Sequence, residues 1–160
     1  MTKPVYEDAH LQLFLKIFSL LDRLFDKFVA TGPAEYKGIG TKKKRGDSGI
    51  RPKPPRRSGK HYPTLVIEAG NSESLPRLHK DRDWWFDNSP PNQPEGDVKT
   101  VLLIKVYEKT NRVVVAQWHR SFYQYPTAEI VIAPHPDKPF SVHDSSHWVV
   151  QGAPLVISFQ

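Results

Sequence analysis

The residue of this chain that first suggests chemical activity is a glutamate within an apolar stretch. Glu68 lies in the run TLVIEA, residues 64–69, and it shares one face of the predicted strand with Thr64 and Val66. A carboxylate in such a run costs free energy unless it is paired, binds a metal or faces a cleft. On this evidence Glu68 either belongs to a site or faces solvent at an edge or exit position of the strand.

Asp47, in the string RGDSGIRP, is a second acid of interest. Two carboxylates that converge form a hard, oxygen-rich site suited to Mg²⁺ or Mn²⁺. Such a metal can polarise a phosphodiester and lower the pKa of an attacking water. Because any basic domain contains some aspartate and glutamate, these two residues alone suggest such a site without defining it.

The net charge of +6 is concentrated in one segment. Nine basic residues and one acid give residues 42–60 a charge of +8, and the rest of the chain sums to −2. Such a patch indicates a polyanionic partner or an address signal, unless it is a solvated loop. We predict nucleic-acid contacts, to DNA in the first instance, at Lys42, Lys43, Lys44, Arg45, Arg51, Arg56, Arg57 and Lys60. The run KKKR at 42–45 also matches a nuclear import signal, which makes a nuclear location a further expectation.

Several classes of protein are disfavoured by composition. The chain has no cysteine, which excludes a disulfide framework, a thiolate nucleophile and a cysteine–zinc site. The stretch Met1–His10 is polar and mixed in charge, unlike a signal peptide, and no stretch approaches the ~20 apolar residues of a membrane span. We therefore expect an intracellular protein with no membrane partner.

The pattern of apolar residues predicts the elements that position these groups. An amphipathic helix is expected over Ala9–Ala30, ended by Gly32 and Pro33, and its broad apolar stripe would pack on a sheet or support a homodimer. A basic, Pro-rich and Lys-rich loop is expected over 41–63, and a helix with Ser74 as its N-cap over 76–88. Strands are predicted around Tyr36–Ile39, Gly49–Arg51, Thr64–Ala69, Val98–Tyr107, Arg112–Arg120, Thr127–Ala133 and Leu155–Phe159. This order predicts a single α/β domain with a mixed sheet and flanking helices.

Five strings carry a resemblance to a known family. They are DSGIRP (47–52), PTLVIEAGNSESLPRLHKDRDWWF (63–86), GDVKTVLLIKV (96–106), VAQW (115–118) and GAPLVISF (152–159). The chain resembles the restriction-endonuclease-like proteins of fungal genomes, which are similar to a bacterial branch of the PD-(D/E)XK nuclease superfamily. The resemblance runs from about Gly38 to the end, and it implies a restriction-endonuclease-like core with the long N-terminal helix as its first helix.

The resemblance also implies roles for individual residues. Asp47 and Glu68 would be catalytic metal ligands for Mg²⁺ or Mn²⁺. The motif places a lysine two residues after the second acid, where this chain has Gly70. Some branches supply that group from the following helix, and of Lys80 and Arg82 we favour Lys80, because an amine can lose its proton whereas a guanidinium effectively cannot. Asp81 and Asp83 in the same helix could serve as extra ligands, but we favour the surface for both, because aspartate is usually exposed.

Two functions follow as expectations. The first is a metal-dependent nuclease that hydrolyses phosphodiester bonds of DNA or RNA, with Asp47, Glu68 and Lys80 in its active site. The second is a catalytically inactive relative that binds nucleic acid or a protein partner, and Gly70 favours it.

Overall fold

The computed structural model describes residues 27–53, 61–89, 91, 96–122, 124–139, 141 and 144–157. Within them the chain forms a seven-stranded mixed sheet, a separate two-stranded sheet and one α-helix. In chain order the elements are β1 (Phe28–Thr31), β2 (Glu35–Lys37), β3 (Lys43–Arg45), β4 (Ser48–Pro52), β5 (Leu65–Gly70), α1 (Leu75–Asn88), β6 (Thr100–Tyr107), β7 (Arg112–His119), β8 (Ala128–Pro134) and β9 (Trp148–Gly152).

The large sheet has the strand order β1-β4-β5-β6-β7-β8-β9. Neighbouring strands are antiparallel except β5 and β6, which are parallel. A parallel pair needs a crossover connection, and α1 lies in that connection. Strand β5 therefore has neighbours on both sides and α1 directly after it, and all six of its residues are buried.

Alternation along β5 divides the hydrophobic core into two layers. Leu65, Ile67 and Ala69 pack in one cluster with residues of β1, β4, β6 and β7. Val66 packs in the other cluster, with Leu78 and Trp85 of α1 and with residues of β6 and β7. Because side chains two residues apart share a face, Glu68 lies on the α1 side of the sheet.

Arg120, just after β7, ties the end of α1 to the sheet. Its guanidinium donates to the carbonyls of Phe86 and Ser89, at the C-terminus of the helix, and to the carbonyl of Val98. The last carbonyls of a helix have no partner within the helix, so these bonds satisfy groups that would otherwise need water. They hold α1 in place over β5.

The prediction of an α/β fold, with a restriction-endonuclease-like core and flanking helices, is wrong. The described part of the chain is mainly β-sheet, with one α-helix on one face. After β6 the sheet grows by antiparallel neighbours, and such strands can be joined by short turns that need no crossover helix. The expected loop over 41–63 also contains β3 and β4, and β4 lies inside the large sheet.

The predicted N-terminal helix, Ala9–Ala30, is wrong over the residues that the structure describes. Most of it, up to residue 26, lies outside the described residues. Its predicted end, Phe28–Ala30, is part of β1, which pairs antiparallel with β4. Three residues cannot distinguish a helical period from strand alternation, so pairing with β4 decided their conformation.

Other predicted elements are confirmed. These are the strands near 36 and 49, the strand that carries Glu68, α1, the β6–β7 hairpin and β8. The last predicted strand, Leu155–Phe159, is wrong over Leu155–Ile157, which form no strand, and its last two residues lie outside the described residues. Strand β9, earlier in the chain, was missed. Leu155 and Ile157 pack on the core without pairing, so their apolar character reflects burial alone.

Over the part of the chain that the structure describes, the length and hydropathy of the helices fall short of a membrane span.

Candidate active site

Glu68 lies at the bottom of a cavity between β5, α1 and the β3–β4 connection. Only 7% of its side chain is exposed. The indole Nε1 of Trp85, a residue of α1, donates to Glu68 Oε1 at 2.5 Å. This bond fixes the carboxylate and uses the only polar atom of an otherwise apolar core residue.

Lys44, from β3, reaches the same carboxylate. Its Nζ lies 3.3 Å from Glu68 Oε1 and 2.6 Å from Asp81 Oδ1. Only 14% of the lysine side chain is exposed, and the same holds for Asp81. The ammonium group thus connects an acid of β5 to an acid of α1.

Asp47 lies between β3 and β4 and contacts β5. Its Oδ2 accepts a hydrogen bond from the backbone amide of Ala69 at 2.9 Å, directly beside Glu68. The two acids singled out in the sequence therefore line one cavity of about 260 Å³. The cavity is also lined by Lys44, Arg45, Arg77, Asp81 and the turn 69–73.

Burial raises the pKa of Glu68 from 4.5 to about 7. Desolvation is the largest cause, the ammonium of Lys44 and the Trp85 hydrogen bond oppose it, and the nearby carboxylates of Asp47 and Asp81 add to it. The protein thus holds an acid in its interior that would be about half ionised at neutral pH.

The raised pKa predicts how stability depends on pH in metal-free buffer. The folded state binds the Glu68 proton more tightly than the unfolded state, so the destabilisation is absent below pH 4.5, grows between 4.5 and 7, and is complete above 7. We expect Glu68→Gln to be only slightly more stable than the parent at pH 5 and about 3 kcal/mol more stable at pH 8. Urea unfolding in EDTA at both pH values measures this, and a gap that does not widen with pH would contradict it.

The structure does not bring Lys80 to this cavity. Lys80 is exposed on α1 and is absent from the cavity lining, whereas its neighbour Asp81 points inwards. Arg82 also turns away: its guanidinium stacks 3.9 Å over the ring of Trp118 and pairs with Asp83. Lys80 and Arg82 of α1 thus both lie away from Glu68, whereas Lys44 Nζ lies 3.3 Å from its carboxylate.

Gly70, where the family resemblance would place a lysine, leaves little room for a side chain. A Cβ there would lie 3.1 Å from Leu78 Cδ2 and 3.2 Å from Glu73 Cβ. Lys105 of β6 is the register partner of Gly70, but its ammonium group donates to the carbonyl of Asn71. A side chain at position 70 would thus require Leu78 and Glu73 to shift by a few tenths of an ångström.

The predicted nucleic-acid contacts separate into three groups. Lys42, Lys43 and Arg45 are exposed. Lys44 is inside the cavity, and Arg51 is buried in β4, where Nη1 lies 3.4 Å from the carbonyl oxygen of His61. The remaining three, Arg56, Arg57 and Lys60, lie outside the described residues.

The donor set fits a magnesium ion only in part. Mg²⁺ typically takes one or two carboxylates and completes its shell with water and substrate oxygens, and Asp47 with Glu68 would provide two. Across the described ranges, no three histidine, cysteine, aspartate or glutamate side chains form a metal-binding group. A metal here would thus depend on Asp47, Glu68 and non-protein ligands.

Sequence reasoning missed Asp81, Trp85 and Arg77 as parts of the site. The three residues recur every four positions, a spacing that places them on one side of a helix. Asp81 was expected at the surface because aspartate is usually exposed. Trp84 and Trp85 are adjacent on a helix and cannot both face the same way, so one of them had to face the core. The spacing of four residues from Arg77 to Asp81 to Trp85 was therefore the available signal.

Comparison with known proteins identifies no family. No protein-family model matches the chain, and no curated protein matches its sequence significantly.

Proposed function

We propose that this protein is a metal-dependent nuclease that hydrolyses phosphodiester bonds of DNA or RNA. The observation that carries the proposal is that Asp47, Glu68 and Lys44 meet in one polar cavity, although Glu68 lies more than 20 residues from the other two in the sequence. Two acids can hold a metal ion that polarises a phosphodiester, and an amine can stabilise the negative charge that develops on the phosphate. The family resemblance of the sequence points to the same reaction.

Asp47 and Glu68 would hold Mg²⁺ or Mn²⁺. When bound, the ion supplies Lewis-acid polarisation of a phosphoryl oxygen and lowers the pKa of an attacking water. The Ala69 amide orients Asp47 and the Trp85 indole orients Glu68, so both carboxylates are positioned before any ion arrives. Positioned ligands of this kind are what a precise site needs.

Lys44 would replace Lys80 as the catalytic amine. Its Nζ lies 3.3 Å from Glu68 Oε1, within reach of a water or phosphate oxygen beside that carboxylate. Asp81, at 2.6 Å, holds the ammonium in place and acts as a positioning residue. Lys44 can orient the attacking water and stabilise negative charge that develops on the phosphate.

Two arginines would bring the substrate to the mouth of the cavity. Arg45 and Arg77 both line it and both are exposed, so their guanidinium groups are accessible to a phosphodiester. Guanidinium groups match the geometry of phosphate oxygens and form charge-assisted hydrogen bonds with them. A nucleic-acid backbone fits this rim better than a neutral substrate does.

The direct test is cutting by the purified full-length chain. Supercoiled plasmid, linear duplex DNA, single-stranded DNA and structured RNA are each incubated with Mg²⁺, with Mn²⁺ and with EDTA. We expect a cut or nick in at least one substrate with a divalent ion and none with EDTA. Cutting that persists in EDTA, or in the Asp47→Asn variant, would contradict the proposal.

An inactive binding module is the second candidate, and one observation favours it. The Lys44 ammonium lies between Glu68 and Asp81 and neutralises charge that a metal would otherwise neutralise. Isothermal titration separates the two candidates. A chain that binds nucleic acid, does not bind Mg²⁺ or Mn²⁺ through Glu68 and cuts no substrate is the binding module.

A further inference from the structure

The two-stranded sheet forms a basic hairpin, which we define as residues 35–45. Its strands β2 and β3 are antiparallel, and the turn is closed by a hydrogen bond from the Gly38 amide to the Lys42 carbonyl at 2.7 Å. Gly40 in this turn has φ +72°, which favours glycine. The hairpin is not part of the large sheet, and one of its faces is exposed.

Alternation along the two strands separates the side chains of the basic hairpin. Tyr36 is buried and its register partner Lys44 is largely buried, on the side that faces α1 and the cavity. Glu35, Lys37 and Lys43 alternate to the other, exposed side, and Arg45, the last residue of β3, is exposed and also lines the cavity.

The exposed side is strongly positive and contains a like-charge pair. Lys37 is directly opposite Lys43 in the register, an arrangement that is destabilising in isolation. Glu35 is the single acid on this side and lies 3.0 Å from Lys43. With Lys42 and Arg45 also exposed, positive charge exceeds what the hairpin itself can pair, which indicates an anionic partner.

The tip of the basic hairpin is held rigidly although its surface is exposed. The Ile39 amide donates to Asn88 Oδ1 at 2.9 Å, and the Tyr62 hydroxyl donates to the carbonyl of Lys37. Gly38 packs so closely on Asn88 and Trp84 that a Cβ would collide with them. The Ile39 side chain is nevertheless 64% exposed at the tip. A fixed backbone that presents an apolar side chain among lysines is preorganised for binding.

We propose that the basic hairpin enters the major groove of B-form duplex DNA and delivers the adjacent backbone to the cavity; this inference rests on the nucleic-acid function proposed above. The major groove of B-DNA, about 12 Å wide, admits a two-stranded β-ribbon. The major groove of A-form RNA is too deep and narrow for such a ribbon. Lys37 and Lys42 contact phosphates, and Ile39 packs on base edges such as the thymine methyl group. Arg45 belongs both to the hairpin and to the cavity lining, so it connects the two.

Binding is measured by fluorescence anisotropy in EDTA, so that no strand is cut. The probes are duplex DNA, duplex RNA and single-stranded DNA of one sequence, each over a series of salt concentrations. We expect the parent to bind duplex DNA at least tenfold more tightly than duplex RNA. The double variant Lys37→Ala, Lys42→Ala should reduce the slope of log K against log salt by about 1.8, because each lost phosphate contact removes about 0.9. Ile39→Ser should weaken binding about tenfold and leave the slope unchanged, since it removes apolar burial and no charge.

The matched control is Lys109→Ala, Lys138→Ala, which removes the same charge from exposed positions in the connections that follow β6 and β8, outside the basic hairpin. It should keep the slope of the parent to within about 0.3. An equal loss in the control, unchanged binding in the hairpin variants, or a preference for duplex RNA or single strands would each overturn the proposal. EDTA prevents metal-dependent cutting, so binding and cutting are tested separately. If the parent cuts nucleic acid but the hairpin variants bind normally, only the proposed role of the basic hairpin is refuted. If the protein binds tightly through the basic hairpin but cuts no substrate, only the proposed nuclease activity is refuted.

Discussion

Glu68→Gln should reduce metal-dependent cutting at least a hundredfold. The substitution removes the negative charge that would bind the ion, while the amide oxygen can still accept from the Trp85 indole. Loss of one positioned catalytic group typically costs about 10²–10⁴ in rate. Single-turnover cutting of a labelled substrate at pH 8 with saturating Mg²⁺ measures the effect. At that pH the parent carboxylate is largely ionised, since its pKa is about 7.

The same measurement has an internal check on folding. In EDTA the Gln variant should be at least as stable as the parent, so lost cutting cannot be attributed to unfolding. Glu129→Gln is the matched control, because Glu129 is an exposed residue of β8. It should cut at the rate of the parent. A Glu68→Gln protein that cuts within about threefold of the parent would show that Glu68 is not the metal ligand.

Lys44→Met should also reduce the cutting rate, by about a hundredfold, while Lys80→Met should leave it nearly unchanged. Methionine keeps much of the length of the lysine side chain and removes the ammonium that lies beside Glu68 and Asp81. The loss of a positioned polar group at the reacting centre accounts for this magnitude. Lys80 is exposed on α1 and outside the cavity, so its removal affects no group of the site.

Measurements of DNA affinity distinguish a catalytic role of Lys44 from a role in binding the substrate. Because the Lys44 side chain is only 14% exposed, Lys44→Met should leave duplex affinity in EDTA within about twofold of the parent. A large loss of affinity with an unchanged cutting rate at saturation would make Lys44 a substrate-binding residue. If Lys80→Met loses activity and Lys44→Met keeps it, the lysine of the helix is the catalytic one, as the sequence predicts.

Of the three carboxylates that line the cavity, Asp47 and Glu68 could be singled out from the sequence and Asp81 could not. Glu68 interrupts an apolar run between Pro63 and Gly70, and that run predicts β5 correctly. The helix after it is predicted by Ser74 and Pro76 at its start and by its apolar residues. Strand order along the chain does not reveal that α1 is the one α-helix among the described residues, so the α/β class was inferred and was wrong.

The sequence by itself determined the acid in the central strand, the helix that follows it and the concentration of positive charge before it. Only the tertiary structure decided which lysine reaches the acid. The run of lysines from 42 to 44 contains no polarity alternation, so nothing in it shows which side chain turns inwards. Pairing of Tyr36 with Lys44 decides this, because a buried tyrosine on one strand places its register partner on the same side. Lys44 then lies inside the site, whereas Lys43 and Arg45 face solvent.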